Sequence, residues 1–208
     1  MKLDIVFVAQ QGELEVMACV LAASIRQSCG NQVNLNVIEP TPQSVYGGIS
    51  YLSRKLLNEM DVNWYKFDNP ISDEYGIFNK LNAFKIKPSG DRILFLDSDV
   101  YLRRPLKPLL HALEHDFAAR AAGSQRFSTK EKHWRQAYGH FGLEVPKMRF
   151  PSWGTYKWGP PYFNAGVILA NPELDFSTPW IEACSKIHFD PKIKMKNRGT
   201  VQVGMPVA

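Results

Sequence analysis

Three features of the 208-residue sequence predict an α/β fold with a mostly parallel central sheet flanked by helices, built as a single domain over residues 1–208. Short apolar runs alternate along the chain with segments in which apolar residues recur at helical spacing. Two of those runs, Ile5 to Val8 and Ile93 to Leu96, are continuously apolar, as strands buried on both faces must be. The chain also opens with a β-α-β pattern, which requires a parallel strand pair joined by a helical crossover.

The elements follow in order. Ile5 to Val8 is the first strand. After Gln10-Gln11-Gly12, the residues Val16, Met17, Val20, Leu21, Ser24 and Ile25 fall at helical spacing. Cys29-Gly30-Asn31 stops that helix, and Val33 to Ile38 alternates like a second strand. Thr41 to Gly48 carries two prolines and a Gly-Gly pair, so it reads as a loop. Ser50 to Met60 is a short helix and Trp64 to Phe67 a strand. Ile77 to Lys87 is helical, with Ile77, Phe78, Leu81 and Phe84 on its inner face, and Pro88-Ser89-Gly90 ends it. After Ile93 to Leu96, residues 105 to 115 read as a helix and Phe117 to Ala122 as a strand. Thr129 to Phe141 is a helix bearing aromatic residues. Phe150 to Pro161, with three prolines, two tryptophans and two glycines, reads as irregular. Phe163 to Ala170 is a strand and Pro179 to Ile187 a last helix.

Composition excludes several classes. With 45% hydrophobic and 22% charged residues the chain can bury a core and is neither disordered nor collagen-like. The opening apolar run, Ile5 to Ala9, is five residues long, too short for a signal segment or a membrane span. No other window reaches spanning length. Three cysteines (Cys19, Cys29 and Cys184), without metal-ligand spacing, suit a reduced, cytoplasmic chain. The net charge of +5 suits an anionic partner. Its one cluster, Lys192, Lys194, Lys196 and Arg198, has no interleaved aromatic residues for stacking bases, so nucleic acid is not the expected partner.

Chemistry concentrates after the strand Ile93 to Leu96, which runs into Asp97-Ser98-Asp99. Open α/β sheets bind ligands beyond the carboxyl ends of their strands. Two carboxylates two residues apart converge on one hard cation if the backbone turns there, and oxygen ligands favour Mg²⁺ or Mn²⁺ over zinc. Such an ion can bridge diphosphate oxygens and offset their charge. Acidic pairs at strand ends also serve as caps or surface turns. A second motif, Phe163-Asn164-Ala165-Gly166-Val167-Ile168-Leu169, sets an amide and a side-chain-free backbone position on a buried strand, and glycine there permits close approach of a ligand or another backbone. Its plainer reading is a strand with an Asn cap and a bulge.

Three segments in succession, YGIFNKLNAFKI, RILFLDSDVYLRRPL and PYFNAGVILANP, resemble the signatures of glycosyltransferase family 8, the glycogenin and bacterial galactosyltransferase group. The resemblance runs from Ile5 to about Gln202. It implies a GT-A (Rossmann-like) fold and a hexosyl transfer from a nucleotide-diphosphate sugar, most often UDP-linked. It further implies Mn²⁺ or Mg²⁺, retention of anomeric configuration, and a sugar, lipid or protein acceptor that the sequence leaves open. Carried over by position, Asp97 and Asp99 are the metal and diphosphate ligands, with Ser98 between them. Lys80 stands where the family has a basic residue beside the phosphates, and its other reading is a solvated helix lysine. Ala9 and Gln10 line the base pocket, largely through their backbone, while Asn164 reaches the transferred sugar or the acceptor.

Two departures from the family stand out. Its Asp-Gln pair corresponds here to Val201-Gln202, with valine in place of the acid; Gln202 is then either the candidate group opposite the leaving diphosphate or merely a polar residue near the end of the sequence, the reading that Val201 favours. Its later His-x-x-Gly segment has no counterpart before Ala208, and none of His111, His115, His133, His140 and His188 has that context. The resemblance therefore implies either a truncated chain or a third metal ligand from water or another residue.

Three rivals remain. A haloacid-dehalogenase phosphatase also begins with D-x-D, but Tyr101 replaces its usual Thr or Val, and no later acidic pair follows. A sugar-phosphate nucleotidyltransferase needs a Gly-rich loop that VAQQGELE lacks. A non-catalytic sugar- or nucleotide-binding module on the same scaffold fits Val201 and the absent histidine. The aromatic stretch with Phe150, Trp153, Tyr156, Trp158 and Tyr162 suits an enzyme or a binder, because sugar C–H faces stack on such rings, and it suits a self-packed surface loop equally.

Overall fold

The structure, a computed structural model, describes residues 2–106, 114–124, 127, 130–193 and 199–208. Strand β1 (Leu3–Val8) leads through helix α1 (Glu13–Cys29) to β2 (Val33–Thr41). A one-turn helix α2 (Gln43–Tyr46), α3 (Tyr51–Glu59) and β3 (Val62–Asp68) follow. Next come a 3-10 helix at Gly76–Lys85, β4 (Arg92–Leu96), β5 (Phe117–Ala121) and α4 (Glu131–Gly139). The short strands β6 (Phe150–Pro151) and β7 (Trp158–Gly159) precede β8 (Phe163–Ala170), α5 (Ser177–Phe189) and α6 (Thr200–Gly204).

The sheet order is β3-β2-β1-β4-β8-β5. Strand β1 pairs in parallel with β2 and β4, β2 in parallel with β3, and β8 antiparallel with β4. This is the mostly parallel, helix-flanked α/β sheet that the alternation of elements predicts. The chain packs as two compact units, Met1–Ala118 with Gly166–Asp175, and Ala119–Ala165 with Phe176–Ala208.

In the first unit Ile5 and Phe7 of β1 meet Leu35 and Val37 of β2, and α1 lays Ala18, Leu21, Ala22 and Ile25 over them. Burial of each large aliphatic side chain contributes about 2 kcal/mol. The inner face of α1 differs from the apolar spacing read off the sequence, because Val16, Met17 and Val20 are exposed. α1 is apolar on most of its circumference, and the small residues Ala18 and Ala22 let the backbone approach the sheet. Arg26 fastens the end of α1 by donating to the carbonyls of Gly30, Val33, Met60 and Asp61.

Strand β2 runs three residues past Ile38 and shows no alternation, being flanked by β1 and β3. Its pairing with β1 stops at Val8 opposite Ile38, so Pro40 lies where only β3 pairs with it and a missing N–H is tolerated. Buried Glu39 on the same extension pairs with Arg54 at 2.8 Å and Lys66 at 3.9 Å. At the opposite end of the sheet, buried Asp4 accepts from Asn34 at 3.1 Å, Asn36 at 3.0 Å and the Ser89 N–H at 3.1 Å, and from the N–H of Gly90. A Cβ at Gly90 would stand 2.5 Å from the Lys2 carbonyl, so only glycine closes this turn.

The segment read as a helix over Ile77 to Lys87 is wound as a 3-10 helix and ends at Lys85. Its three-residue repeat stacks Phe78 over Leu81 and Asn79 over Asn82, and all four are buried, while Ile77 is only half-buried. Two further differences are local. The loop from Thr41 to Gly48 contains α2, and the stretch from Phe150 to Pro161 closes as a β6–β7 hairpin in which Tyr156, at φ 53°, donates its N–H to Ser152. Of the helix read over 105 to 115, residues 107 to 113 lie outside the described residues, as does Thr129 of the next one.

The second unit has its own core, in which Trp134 packs edge-on against Phe127 at 5.1 Å and Tyr162 at 5.9 Å between ring centres. Trp180 donates from Nε1 to the Val201 carbonyl at 2.8 Å, and Gly204 lies so close to α5 that a Cβ would stand 2.7 Å from Cys184 Sγ. His140 and Gln136 both bond Asp190, at 2.9 and 2.6 Å.

Candidate functional site

Strand order reverses at β1, with β2 on one side and β4 on the other, and a pocket opens at the carboxyl ends of β1 and β4. Its volume is about 360 Å³, within the range of small-molecule sites. Val8, Gln10, Phe95, Lys80, Asp97, Ser98 and Asp99 line it, together with Leu14, Gly76 and Ile77. All of these belong to the first unit.

Main-chain bonds set the turn after β4. Asp97 donates its N–H to the Gly166 carbonyl of β8 at 2.8 Å, and Val100 donates back to the Asp97 carbonyl at 3.0 Å. Ser98, buried, donates its hydroxyl to the Val8 carbonyl. With Ser98 turned inward, Asp97 is left half-buried and Asp99 exposed.

Lys80 reaches the same place from the 3-10 helix, over the Phe95 ring at 5.6 Å, and forms an ion pair with Asp97 Oδ1. Its side chain retains 13% exposure, so it is not a solvated surface lysine. Burial pushes the Asp97 carboxyl above its ordinary value; Lys80 opposes that shift and the neighbouring charge of Asp99 adds to it. The pocket thus holds two carboxylates and one ammonium. Among the described residues no group of three or more His, Cys, Asp or Glu side chains is placed to share a metal ion.

Ala9 is fully buried and commits its N–H to Ile38 at 2.9 Å, so its side chain does not line the pocket and its N–H cannot serve a ligand. Gln10 does line it, with its Oε1 accepting from Asn79 at 3.3 Å.

The other two candidates lie in the second unit. Asn164 is exposed near the start of β8. Gln202 sits in α6 and accepts from the Tyr162 hydroxyl at 3.3 Å. Val201, at the place of the family's acid, is buried. Trp153, Tyr156 and Trp158 on the hairpin are exposed, with Arg120 over the Trp153 ring at 4.5 Å, whereas Tyr162 is core.

Residues 5–208 match the family described as a Rhodobacterales glycosyltransferase domain. The chain belongs to that family. No curated protein matches this glycosyltransferase domain. Among solved structures it is similar to the galactosyltransferase LgtC in complex with donor and acceptor sugar analogs, at 22% identity and a TM-score of 0.59, over 97% of this chain and 69% of that one. It is also similar to mouse xyloside xylosyltransferase 1, at 13% identity and a TM-score of 0.57, over 99% and 81% of the two chains. A third is the glycosyltransferase GlyE of Streptococcus pneumoniae TIGR4, at 17% identity and 0.54, over 98% and 42%. The fold is GT-A, in agreement with the family 8 resemblance, and no helix among the described residues is long and apolar enough to cross a membrane.

Sequence reasoning did not single out Leu14, Gly76, Ile77 and Phe95 as pocket-lining residues in this glycosyltransferase domain. For Gly76 a signal existed: it stands four residues before Lys80, in the first of the three family-like segments. Leu14 offers none, since it is one of many apolar residues on α1.

Proposed function

We propose that this glycosyltransferase domain moves a hexosyl group from a nucleotide-diphosphate sugar, UDP-linked, to a sugar, lipid or protein acceptor, with retention of anomeric configuration. The observation that carries the reading is the convergence of Lys80, Asp97 and Asp99 on one pocket at the carboxyl ends of β1 and β4. Three free cysteines fit the cytoplasmic location that belongs to this reading.

In this reading the nucleoside occupies the pocket over Val8 and Gln10, and the diphosphate lies toward Asp97 and Asp99. The donor set fits a hard divalent cation: two carboxylates on one turn, one of them exposed, held rigid by Ser98. Asp97 and Asp99 would hold Mn²⁺ or Mg²⁺, with water and phosphate oxygens completing its coordination. When bound, the ion offsets the charge that builds on the departing diphosphate. Lys80 releases Asp97 and turns its ammonium to a phosphate oxygen, which serves the same end from the protein side. To Asn164 this reading assigns contact with the sugar or the acceptor, and to the Gln202 amide carbonyl stabilisation of the positive charge that develops at the anomeric carbon. The exposed rings of Tyr156 and Trp158 offer stacking faces to a sugar acceptor.

The test is a thermal-shift screen with UDP, GDP and CMP, each with and without Mn²⁺, on the parent and on Asp99→Ala. A bound nucleotide raises the melting temperature by mass action. UDP with Mn²⁺ is expected to give the largest rise, and Asp99→Ala to remove the metal-dependent part. Equal shifts in that variant would take the metal role from the turn. Donor binding without transfer to any acceptor tried would favour a binding module.

A further inference from the structure

Beside the pocket, three side-chain amides form a chain whose direction is fixed by the backbone. Asn69 accepts at Oδ1 from the N–H groups of Ile71 and Ser72, both at 3.0 Å. Its Nδ2 donates to the Tyr75 carbonyl at 3.1 Å and to Asn79 Oδ1 at 3.0 Å. A backbone N–H only donates and a backbone carbonyl only accepts, so Asn69 cannot be turned end for end. Asn79 is therefore bound to accept at its oxygen and to donate at its nitrogen, and that nitrogen bonds Gln10 Oε1 at 3.3 Å. Asn79 is 1% exposed and has no water-facing alternative. Gly76 closes over the junction, where an added Cβ would stand 3.4 Å from Gln10 Oε1 and 3.8 Å from Asn79 Nδ2.

The consequence falls on Gln10. Its oxygen is engaged by Asn79, and no described residue accepts from its Nε2. We infer that Asn69 and Asn79 are positioning residues that make Gln10 present an N–H donor, not an acceptor, to the base of the bound nucleotide. An amide presented this way favours a base with an exocyclic oxo group over its counterpart with an amino group at the same ring position. This inference rests on the nucleotide-donor reading and adds to it the device by which the base is chosen. A one-atom change in Asn79, outside the pocket lining, then reverses what Gln10 shows. An aspartate at 79 has two acceptors, one for Asn69 Nδ2 and one for Gln10, so the Gln10 amide rotates and turns Oε1 to the ligand.

Uracil and cytosine differ in this way at C4, so the experiment compares UDP and CDP by calorimetric titration in the presence of Mn²⁺. The proteins are the parent, Asn79→Asp, Gln10→Glu and Gln10→Ala. The readout is the ratio of the two affinities, because the negative charge added by Asn79→Asp or Gln10→Glu repels both diphosphates alike. The parent is expected to prefer UDP roughly tenfold, the worth of one matched against one mismatched polar contact. In Asn79→Asp and Gln10→Glu that preference is expected to invert, and in Gln10→Ala to vanish. Gln10→Glu alters only a half-buried side chain at the pocket and so stands as the test if the Asn79 variant does not fold. An unchanged ratio in Gln10→Glu, or an equal loss of both nucleotides with the ratio kept, would overturn the inference while leaving the donor site in place. Failure of the parent to bind either nucleotide would remove the nucleotide-donor reading and this inference together.

Discussion

The hydroxyl of Ser98 is bonded to the carbonyl of Val8, so the turn that carries two acidic side chains is tied to the end of the neighbouring strand. Ser98→Ala removes this tie and leaves a buried carbonyl unmatched. We expect a stability loss of about 1 kcal/mol, seen as a fall of roughly 3 °C in melting temperature. Affinity for UDP with Mn²⁺ should drop further than that figure, because Asp97 and Asp99 lose their fixed separation. Parent-like UDP affinity in a measurably destabilised variant would show that the turn is held without Ser98.

Lys80 and Asp97 neutralise one another in the free protein. In Lys80→Ala the competitor for Asp97 is gone, so Mn²⁺ alone should bind more tightly than to the parent. UDP should bind at least about tenfold more weakly, for want of a phosphate-facing ammonium. Electron paramagnetic resonance of free Mn²⁺ and a UDP titration read the two effects separately. Movement of both affinities in the same direction would contradict this division of labour.

Glu39 makes the stability of the first unit depend on pH. Burial alone would raise its carboxyl, but hydrogen bonding and charge from Arg54, with help from the Ile49 backbone and Lys66, bring it below the ordinary 4.5. A carboxylate lowered in the folded state contributes stability above its unfolded pKa and loses it as pH falls through the folded value. Denaturant unfolding of the parent should therefore weaken more steeply below about pH 4.5 than that of Glu39→Gln. Parallel curves would assign the acid sensitivity elsewhere.

Asp4→Ala leaves two backbone N–H groups and two asparagine amides without their shared acceptor. A loss of about 3 kcal/mol is expected, measured by urea unfolding. The Pro88-Ser89-Gly90 turn should become the first segment to exchange its amide hydrogens. A loss below roughly 1 kcal/mol would mean that water replaces the carboxylate there.

The parts of this fold that a sequence shows are those written in local apolar density. Ile5 to Val8 and Ile93 to Leu96 are legible as strands because such short, bounded apolar runs suit a strand covered on both faces, and the acidic turn follows the second by adjacency alone. Glu13 to Cys29 is legible as a helix but not in its orientation, since Val16, Val20, Leu21 and Ile25 offer it more than one apolar stripe. The 3-10 winding of Gly76–Lys85 was not legible, because Phe78, Leu81 and Phe84 satisfy three- and four-residue spacings alike. Least visible was the chain from Asn69 through Asn79 to Gln10. It joins residues 69 positions apart, and each of the three amides alone reads as an ordinary polar residue.

The bond between the Asp97 N–H and the Gly166 carbonyl has a bearing on how the protein is made. β4 leaves the ribosome long before β8 exists, and contacts between segments so distant along the chain form late. Until β8 arrives beside β4, the acidic turn lacks one of its two anchors. A nascent chain halted before Gly166 can hold β1, β2 and β3 in register and still have no finished pocket. The acidic turn is thus fully anchored only once synthesis has passed that glycine, whatever the state of the sheet already folded.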